Sequence, residues 1–474
     1  MRIAIVHYHL RPGGVTRVIE HAGRLLRDAG RKAVVLAAEA PGDFPVPVRV
    51  VKELAYDEGR EPVAVSRLHA ALTDAAAATL GGAPDVWHFH NHHLGKNLAL
   101  PPVVARLAAA GARLLLQIHD FPEDFRPYNY QRLRRFLGED FAACYPSAPQ
   151  VHYAVLNSRD RAFLAGAGVA AERLHLLPNP VWLPPQDGEE RRWPEGRLWL
   201  YPTRAIRRKN VGELLLWATL AEAGDHFATS LAPENPREQH FYRHWEALAR
   251  ELALPLSFDL AHRTGWSFPA MVRAAHCLVT TSVAEGFGMA FLEPWLLERP
   301  VSGRDLPDIT ADFREAGLDL DHLYPRLEVP LEWLGEKPLR QRLAEGLRAL
   351  YRAYGLPEPT ADQCARAWAA WVREGRVDFG RLDEPLQTRV IRHLHRSAAA
   401  RQSLPRRLPV PSPQTVARNR TVALRHYDLR HYGARLESLY AALLAAPCTP
   451  PGALDAAALL HRFLQPERLC LLRL

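Results

Sequence analysis

The chain has 474 residues, 48% hydrophobic and 24% charged, with a formal net charge of +8. At roughly 150 residues per domain this predicts two or three domains and ample apolar material for a core. The location of the positive excess argues against a whole-chain nucleic-acid binder, because residues 386–474 hold 14 Arg against 4 acidic residues while the rest carries −2. Five scattered cysteines (Cys144, Cys277, Cys364, Cys448, Cys470), with no C-x-x-C pair, fit a reducing compartment and argue against a zinc site built on thiolates. The apolar start is too short for a signal peptide and no 18-residue apolar run follows, so the expected address is the cytoplasm.

In chain order, residues 3–6 read as a buried strand and Gly13-Gly14 as a turn. Val15, Val18, Ile19, Ala22, Leu25, Leu26 and Ala29 then recur at helical spacing up to Gly30. A strand at 33–37 completes a β-Gly-loop-α-β unit, and apolar runs at 86–89, 113–118 and 151–156 suit a parallel sheet covered on both faces. Pro178-Asn-Pro180 and the polar, Pro-rich 184–194 read as a linker. A second series of strands follows at 198–201, 227–231, 254–260 and 277–281. From Pro338 the pattern turns helical. A Pro-rich connector at 403–413 precedes one long helix over 414–446, a break at 447–452 and a last helix. Ligands of doubly wound sheets bind beyond the carboxyl ends of the strands, which places the site in a cleft between two such domains.

Two stretches at strand ends carry chemistry. In Thr280-Thr-Ser-Val-Ala-Glu285-Gly-Phe-Gly288-Met-Ala-Phe-Leu-Glu293-Pro, a strand ends, a glycine-containing loop follows and a helix is expected near Met289. Helix-start amides suit a phosphate, and Gly286 and Gly288 let a ligand touch the backbone. In Tyr201-Pro-Thr-Arg204-Ala-Ile-Arg207-Arg208-Lys209, four cations follow a strand, and Arg forks with a Lys point charge suit phosphate. The plain alternatives are a loop with two surface glutamates and a solvated basic turn. Together the two stretches point to a diphosphate.

Glu285-x7-Glu293 with Gly-Phe-Gly inside it resembles the signature of retaining GT-B glycosyltransferases of family 4. Arg204 and Lys209 resemble that family's Arg-x4-Lys pair, and Gly13-Gly14-Val15 its first glycine loop. Asp85-Val-Trp-His88-Phe-His90-Asn91, Ile118-His119-Asp120, Leu156-Asn157-Ser158 and Pro178-Asn179-Pro180 follow in the expected order. The match spans about residues 1–310; beyond 340 the chain departs from the family's short helical end. The resemblance implies an α/β GT-B fold: two Rossmann-like doubly wound domains facing a cleft, with a helical C-terminal extension. The implied domains are an acceptor domain at 1–185, a nucleotide-sugar donor domain at 186–337 and an extension at 338–474 packing back on the body. It further implies that Arg204 and Lys209 neutralise the departing diphosphate. The Gly286-Phe287-Gly288-Met289-Ala290 loop would hold donor sugar and phosphate. Glu285 would bind sugar hydroxyls and Glu293 the ribose. His119 would contact the sugar and stabilise charge at its anomeric carbon, and Gly14 would let its loop approach the phosphates. The implied reaction moves a hexose, glucose or mannose first, from a nucleotide diphosphate sugar to a small glycoside or polyol-type acceptor. The resemblance implies no cofactor and no essential metal, and the cationic residues suit the reaction because diphosphate departure needs charge stabilisation more than a strong base.

Rival readings are fewer. His88-Phe-His90-Asn-His92-His93 could bind zinc, but His92 stands where the hydrolase pattern it resembles has Asp, so one or two of these His are expected to line the cleft and the others to bond loop atoms. Phe121–Tyr130 forms a polar-aromatic stretch suited to a sugar-like acceptor. Arg132, Arg134 and Arg135 would favour an acidic one, or lie on a solvated helix face. Motifs for a catalytic serine elbow, a P-loop and a dinucleotide fingerprint are absent. A GT-B sugar phosphorylase using inorganic phosphate, or a catalytically inactive sugar-binding protein, are the alternatives. The basic tail is expected to pack on the first domain, with peripheral membrane contact the less favoured reading.

Overall fold

The computed structural model describes residues 1–57, 59–182, 191–194 and 196–474; positions 184–190 of the expected linker lie outside the described residues. The chain divides into two compact units. One comprises Met1–Pro180, Ala353–Leu356 and Tyr427–Leu464; the other comprises Val181–Arg352, Pro357–His426 and Gln465–Leu474. Among the described residues no helix is long and apolar enough to cross a membrane.

The first unit is built on a parallel sheet of seven strands: β1 (Arg2–Val6), β2 (Lys32–Ala37), β3 (Val48–Val50), β4 (Val86–His90), β5 (Leu114–Ile118), β6 (Val151–Val155) and β7 (Leu174–Leu176). Their order is β3-β2-β1-β4-β5-β6-β7, so the order reverses beside β1, as in a doubly wound sheet. Strands β4, β5 and β6 are buried at every position, which accounts for their mainly apolar character and buries His88, His90, Gln117 and His152 with them. Helix Gly14–Asp28 buries Val18, Ile19, Ala22 and Leu26, and Gly30 at φ +65° turns the chain out of it. Helix Leu429–Ala445 adds a stripe of Tyr432, Leu436, Leu439, Tyr440 and Leu443 to the core that holds Ile3, Ile5, Val35 and Leu115. Helix Ala456–Phe463 seats the Phe463 ring 4.9 Å from both Phe121 and Phe163.

The second unit has five parallel strands: β8 (Arg197–Arg204), β9 (Asp225–Leu231), β10 (Leu256–Ser257), β11 (Cys277–Thr280) and β12 (Val301–Gly303), in the order β10-β9-β8-β11-β12. The strand expected over 254–260 shrinks to two residues. Asp259 takes a left-handed conformation (φ 53°) and Leu260 already opens a short helix. The stretch from 338 to the connector, expected to be helical, also contains a hairpin of Val372–Arg373 and Arg376–Asp378, onto which Glu328–Pro330 adds an antiparallel third strand. Its turn, Glu374-Gly375, has φ of 49° and 70°, the positive pair that two-residue hairpins favour. The long helix expected over 414–446 is two helices, Pro413–Tyr427 and Leu429–Ala445. Asp428 interrupts them because its carboxylate accepts from the His431 amide and caps the second. The last residues, Gln465–Leu474, belong to the second unit, where the Trp371 indole donates to Leu469 O (2.9 Å).

Candidate active site

In the second unit, β8 and β11 are neighbours, so the loops after them lie side by side. A short turn at Arg207–Lys209 follows β8 and ends at Asn210, which is left-handed with φ 51°. The Thr281 hydroxyl just beyond β11 donates to both Lys209 O (2.9 Å) and Asn210 O (3.0 Å), and Val283 N donates to Arg208 O (3.0 Å). These bonds fasten the cationic turn to the glycine loop. The Lys209 ammonium then bonds Glu285 Oε1, Arg208 Nη1 donates to Glu285 Oε2 (2.8 Å), and Ser282 Oγ donates to Glu285 Oε1 (2.6 Å). The Tyr201 hydroxyl shares a hydrogen bond with Ser282 Oγ (2.8 Å).

Burial alone would raise the Glu285 carboxyl. The charges of Lys209 and Arg208 and the bonds from Lys209 and Ser282 outweigh it and hold the group down at about 2. Burial pushes the Lys209 ammonium down from its ordinary value, with Glu285 opposing that shift and Glu293 adding its charge in the same sense. Glu293, the first residue of helix Glu293–Leu296, is therefore within electrostatic reach of Lys209.

The turn has its own rear support. The Asn210 amide donates to Glu213 Oε2 (2.8 Å), and Gln387 Nε2 donates to Asn210 Oδ1 (2.8 Å). Arg304, 3% exposed, pairs with both Glu213 (2.5 Å) and Asp378 (2.8 Å), and the Tyr324 hydroxyl donates to Glu213 Oε1 (2.8 Å). A buried arginine held between two carboxylates leaves Asn210 little freedom, and Lys209 with it.

The four cations of the turn diverge. Arg208 and Lys209 meet Glu285, whereas Arg204, at the end of β8, is exposed and pairs with Glu234 (2.6 Å). Arg207 pairs with Glu384 (2.5 Å) and lies 4.4 Å over the Phe241 ring. The helix expected near Met289 is a short 3-10 turn, Met289–Phe291, followed by the four-residue Glu293–Leu296 with Pro294 near its start. Four residues align few peptide dipoles, so loop amides rather than a helix macrodipole remain to meet an anion there. Gly288 has φ 91°, and a Cβ on it would stand 2.9 Å from Ile309 and Phe291, so glycine is demanded by the fold itself. Phe287 is buried with its ring 5.5 Å from Phe313, which anchors the loop between Gly286 and Gly288.

The first unit holds the other two expected residues. His119 follows β5, and its amide donates to Asn91 Oδ1 (2.7 Å), as does that of Asp120 (3.1 Å). Asn91 follows β4 at φ 53° and accepts at its own carbonyl from the Tyr8 hydroxyl (2.6 Å). The His119 ring lies 2.9 Å from His90 Nδ1 through Nε2, and burial lowers its pKa to about 4, so it is neutral near pH 7. Gly14 opens helix Gly14–Asp28; a Cβ there would meet nothing within 4 Å, so the fold does not demand glycine at this position.

His88, His90, His92 and His93 are all completely buried, the first two on β4 rather than in a loop. His88 bonds the Tyr440 hydroxyl (2.8 Å) and Gln117 (3.0 Å), and His92 bonds Cys144 O (2.8 Å). Burial holds His88 at about 3 and His92 at about 4. Among the described residues no three His, Cys, Asp or Glu side chains converge to hold a metal ion. Sequence reasoning counted Arg208 only among the four cations and His90 only within the histidine run, and singled out neither Ser282 nor Asn91. A hydroxyl three residues before Glu285 and an Asn directly after a strand were the available signals.

No family model matches the chain. It is 27% identical over 346 residues to mannosylglucosyl-3-phosphoglycerate synthase from Petrotoga mobilis, an alignment that takes in 65% of this chain and 66% of that protein's length. The crystal structure of Anabaena HepE in complex with UDP and glucose superposes with a TM-score of 0.54 at 13% identity, covering 93% of this chain and 99% of that one. Sucrose-phosphate synthase from Thermosynechococcus elongatus gives 0.53 at 15% identity over 94% and 99%. Two parallel doubly wound sheets and these two full-length superpositions show the GT-B fold, and the Petrotoga relative is in keeping with the ordered motifs, which resemble those of family 4 glycosyltransferases.

Proposed function

We propose that this chain transfers a hexose from a nucleotide diphosphate sugar to a small hydroxylated acceptor with retention at the anomeric carbon. The observation that carries this reading is the half-buried Lys209–Glu285–Arg208 cluster where the loops after two neighbouring strands meet. Lys209 has three donor protons and Glu285 engages one end of it, leaving donors for a diphosphate. Charge held in place before the reaction stabilises the leaving group without reorganisation. Arg204 joins by exchanging Glu234 for phosphate; an exposed pair contributes only about 0–1 kcal/mol, so the exchange is easy. Glu285 accepts from donor-sugar hydroxyls and Glu293 from the ribose. Amides of Gly286, Phe287, Gly288, Met289 and Ala290 hold the sugar and phosphate oxygens.

His119, neutral near pH 7, contacts the donor sugar and tolerates positive charge at the anomeric carbon as an imidazolium would not. Gly14 carries no side chain to block the approach of an anion to the first turn of its helix. The Petrotoga relative's name speaks of mannosyl, glucosyl and 3-phosphoglycerate groups, and HepE was crystallised with UDP and glucose. Mannose and glucose donors, and an acceptor bearing phosphate or carboxylate, are therefore the first to test.

Thermal-shift titration with UDP, GDP, ADP and inorganic phosphate tests the donor. One nucleoside diphosphate raises Tm, and Lys209→Ala, which folds, loses most of that rise. Tm unchanged by every diphosphate, or a rise with inorganic phosphate alone, defeats the reading. NMR of the product with the matching nucleotide sugar reads the anomeric configuration.

A further inference from the structure

The transfer proposed above makes no use of the basic excess of the C-terminal fifth. Some of it lines a groove of about 1040 Å³ in the second unit that shares no residue with the Lys209–Glu285 cluster. One wall is the face of helix Glu384–Arg396 that presents Arg389, Arg392, His393 and Arg396; the other includes Glu332 and Trp333. The spacing i, i+3, i+4, i+7 puts four basic side chains on one face over about 10 Å of helix.

These side chains differ in what already holds them. Arg392 is committed to Glu251 through two bonds (2.5 and 2.7 Å). Arg389 makes one long bond, to Leu334 O (3.3 Å), and among the described residues Arg396 has no ion-pair partner. The negative end of the helix does not neutralise them, because Arg401 covers the carbonyls of Leu394 (2.8 Å) and His395 (2.9 Å). The Trp333 and His393 rings lie 4.7 Å apart and are tilted by 50° to each other, which sets the Trp333 indole in the groove beside the guanidinium groups. An aromatic face stacks against a sugar ring, and guanidinium forks hold phosphate.

We propose that this groove is a second, non-catalytic site for a sugar phosphate, with the sugar ring on Trp333 and the phosphate held by Arg389 and Arg396. The proposal stands whether or not the donor assignment above does. Calorimetry at low salt with glucose 6-phosphate, glucose, inorganic phosphate and phosphatidylglycerol vesicles tests it. Glucose 6-phosphate is expected to bind saturably and at least tenfold more tightly than either glucose or phosphate. The double variant Arg389→Gln/Arg396→Gln and the single variant Trp333→Leu each weaken it tenfold or more. The arginines are exposed, so the double variant keeps the wild-type Tm and the nucleotide-induced thermal shift. Unchanged affinity in the double variant overturns the site. Phosphate binding as tightly as glucose 6-phosphate overturns the role of Trp333. Vesicle binding lost in the double variant, without soluble sugar-phosphate binding, assigns the face to lipid and overturns the proposal.

Discussion

At the scale of single residues, Glu285 sets the behaviour of the cationic turn. Its carboxyl sits at about 2 against an ordinary 4.5, so its ionised form is favoured by the fold. The stability this contributes is whole above about pH 5 and is lost as pH falls through the folded value. Glu285→Gln removes that dependence. Urea unfolding from pH 7 to pH 3 is therefore expected to show the wild type well ahead at pH 7 and the difference narrowing below pH 5. A constant difference across that range would mean that Glu285 is not held ionised by Lys209 and Arg208. His119 follows the same logic in another window: its folded value of about 4 lies below 6.5, so its neutral form is favoured and its contribution fades below about pH 6.5.

At the scale of elements, β4 shows how a polar pattern becomes a core strand. His88 and His90 are 0% exposed, which an apolar strand tolerates only because each finds a partner: His88 in Tyr440 and Gln117, His90 in His119. Tyr440 comes from helix Leu429–Ala445, more than 350 residues later in the chain. Tyr440→Phe keeps the ring in the core but leaves a buried imidazole nitrogen without its partner. The expected loss is about 1–3 kcal/mol in equilibrium unfolding, and a variant as stable as the wild type would remove this bond from the account. The Glu374-Gly375 hairpin and the break at Asp428 were misread from sequence for a related reason. Both depend on one or two residues of turn or cap chemistry inside a longer helical pattern, and periodicity averages such signals away.

At the scale of the whole molecule, the stretch after 338 is shared: 427–464 completes the first unit, and 357–426 with 465–474 complete the second. Tyr432, Leu436, Leu439, Tyr440 and Leu443 are core residues of the first unit, so a chain ending at 426 exposes the apolar surface they cover. At roughly 1.5–3 kcal/mol for each large buried side chain, their removal costs about as much as the whole margin of an ordinary domain. The truncated protein is expected to be insoluble or to unfold without a cooperative transition. A soluble, cooperatively folding 1–426 chain would show the helix to be dispensable.

The sequence by itself determined the two runs of parallel strands, the glycine loop after the first strand, and the placing of Lys209, Glu285 and Glu293 beyond strand ends; Arg204, expected beyond its strand, is the strand's last residue. Those features are local: apolar runs, glycine turns and charges a few residues apart carry them. What only the tertiary structure decided was the pairing of those charges. Four adjacent cations looked equivalent along the chain, yet Arg208 and Lys209 turn to Glu285, Arg207 to Glu384 and Arg204 to Glu234. The left-handed Asn210 that ends the turn is held by the nearby Glu213 and by Gln387, and Glu213 is in turn braced by Arg304; Gln387 and Arg304 come from distant parts of the chain. Long-range packing, rather than spacing along the sequence, selects which charges meet.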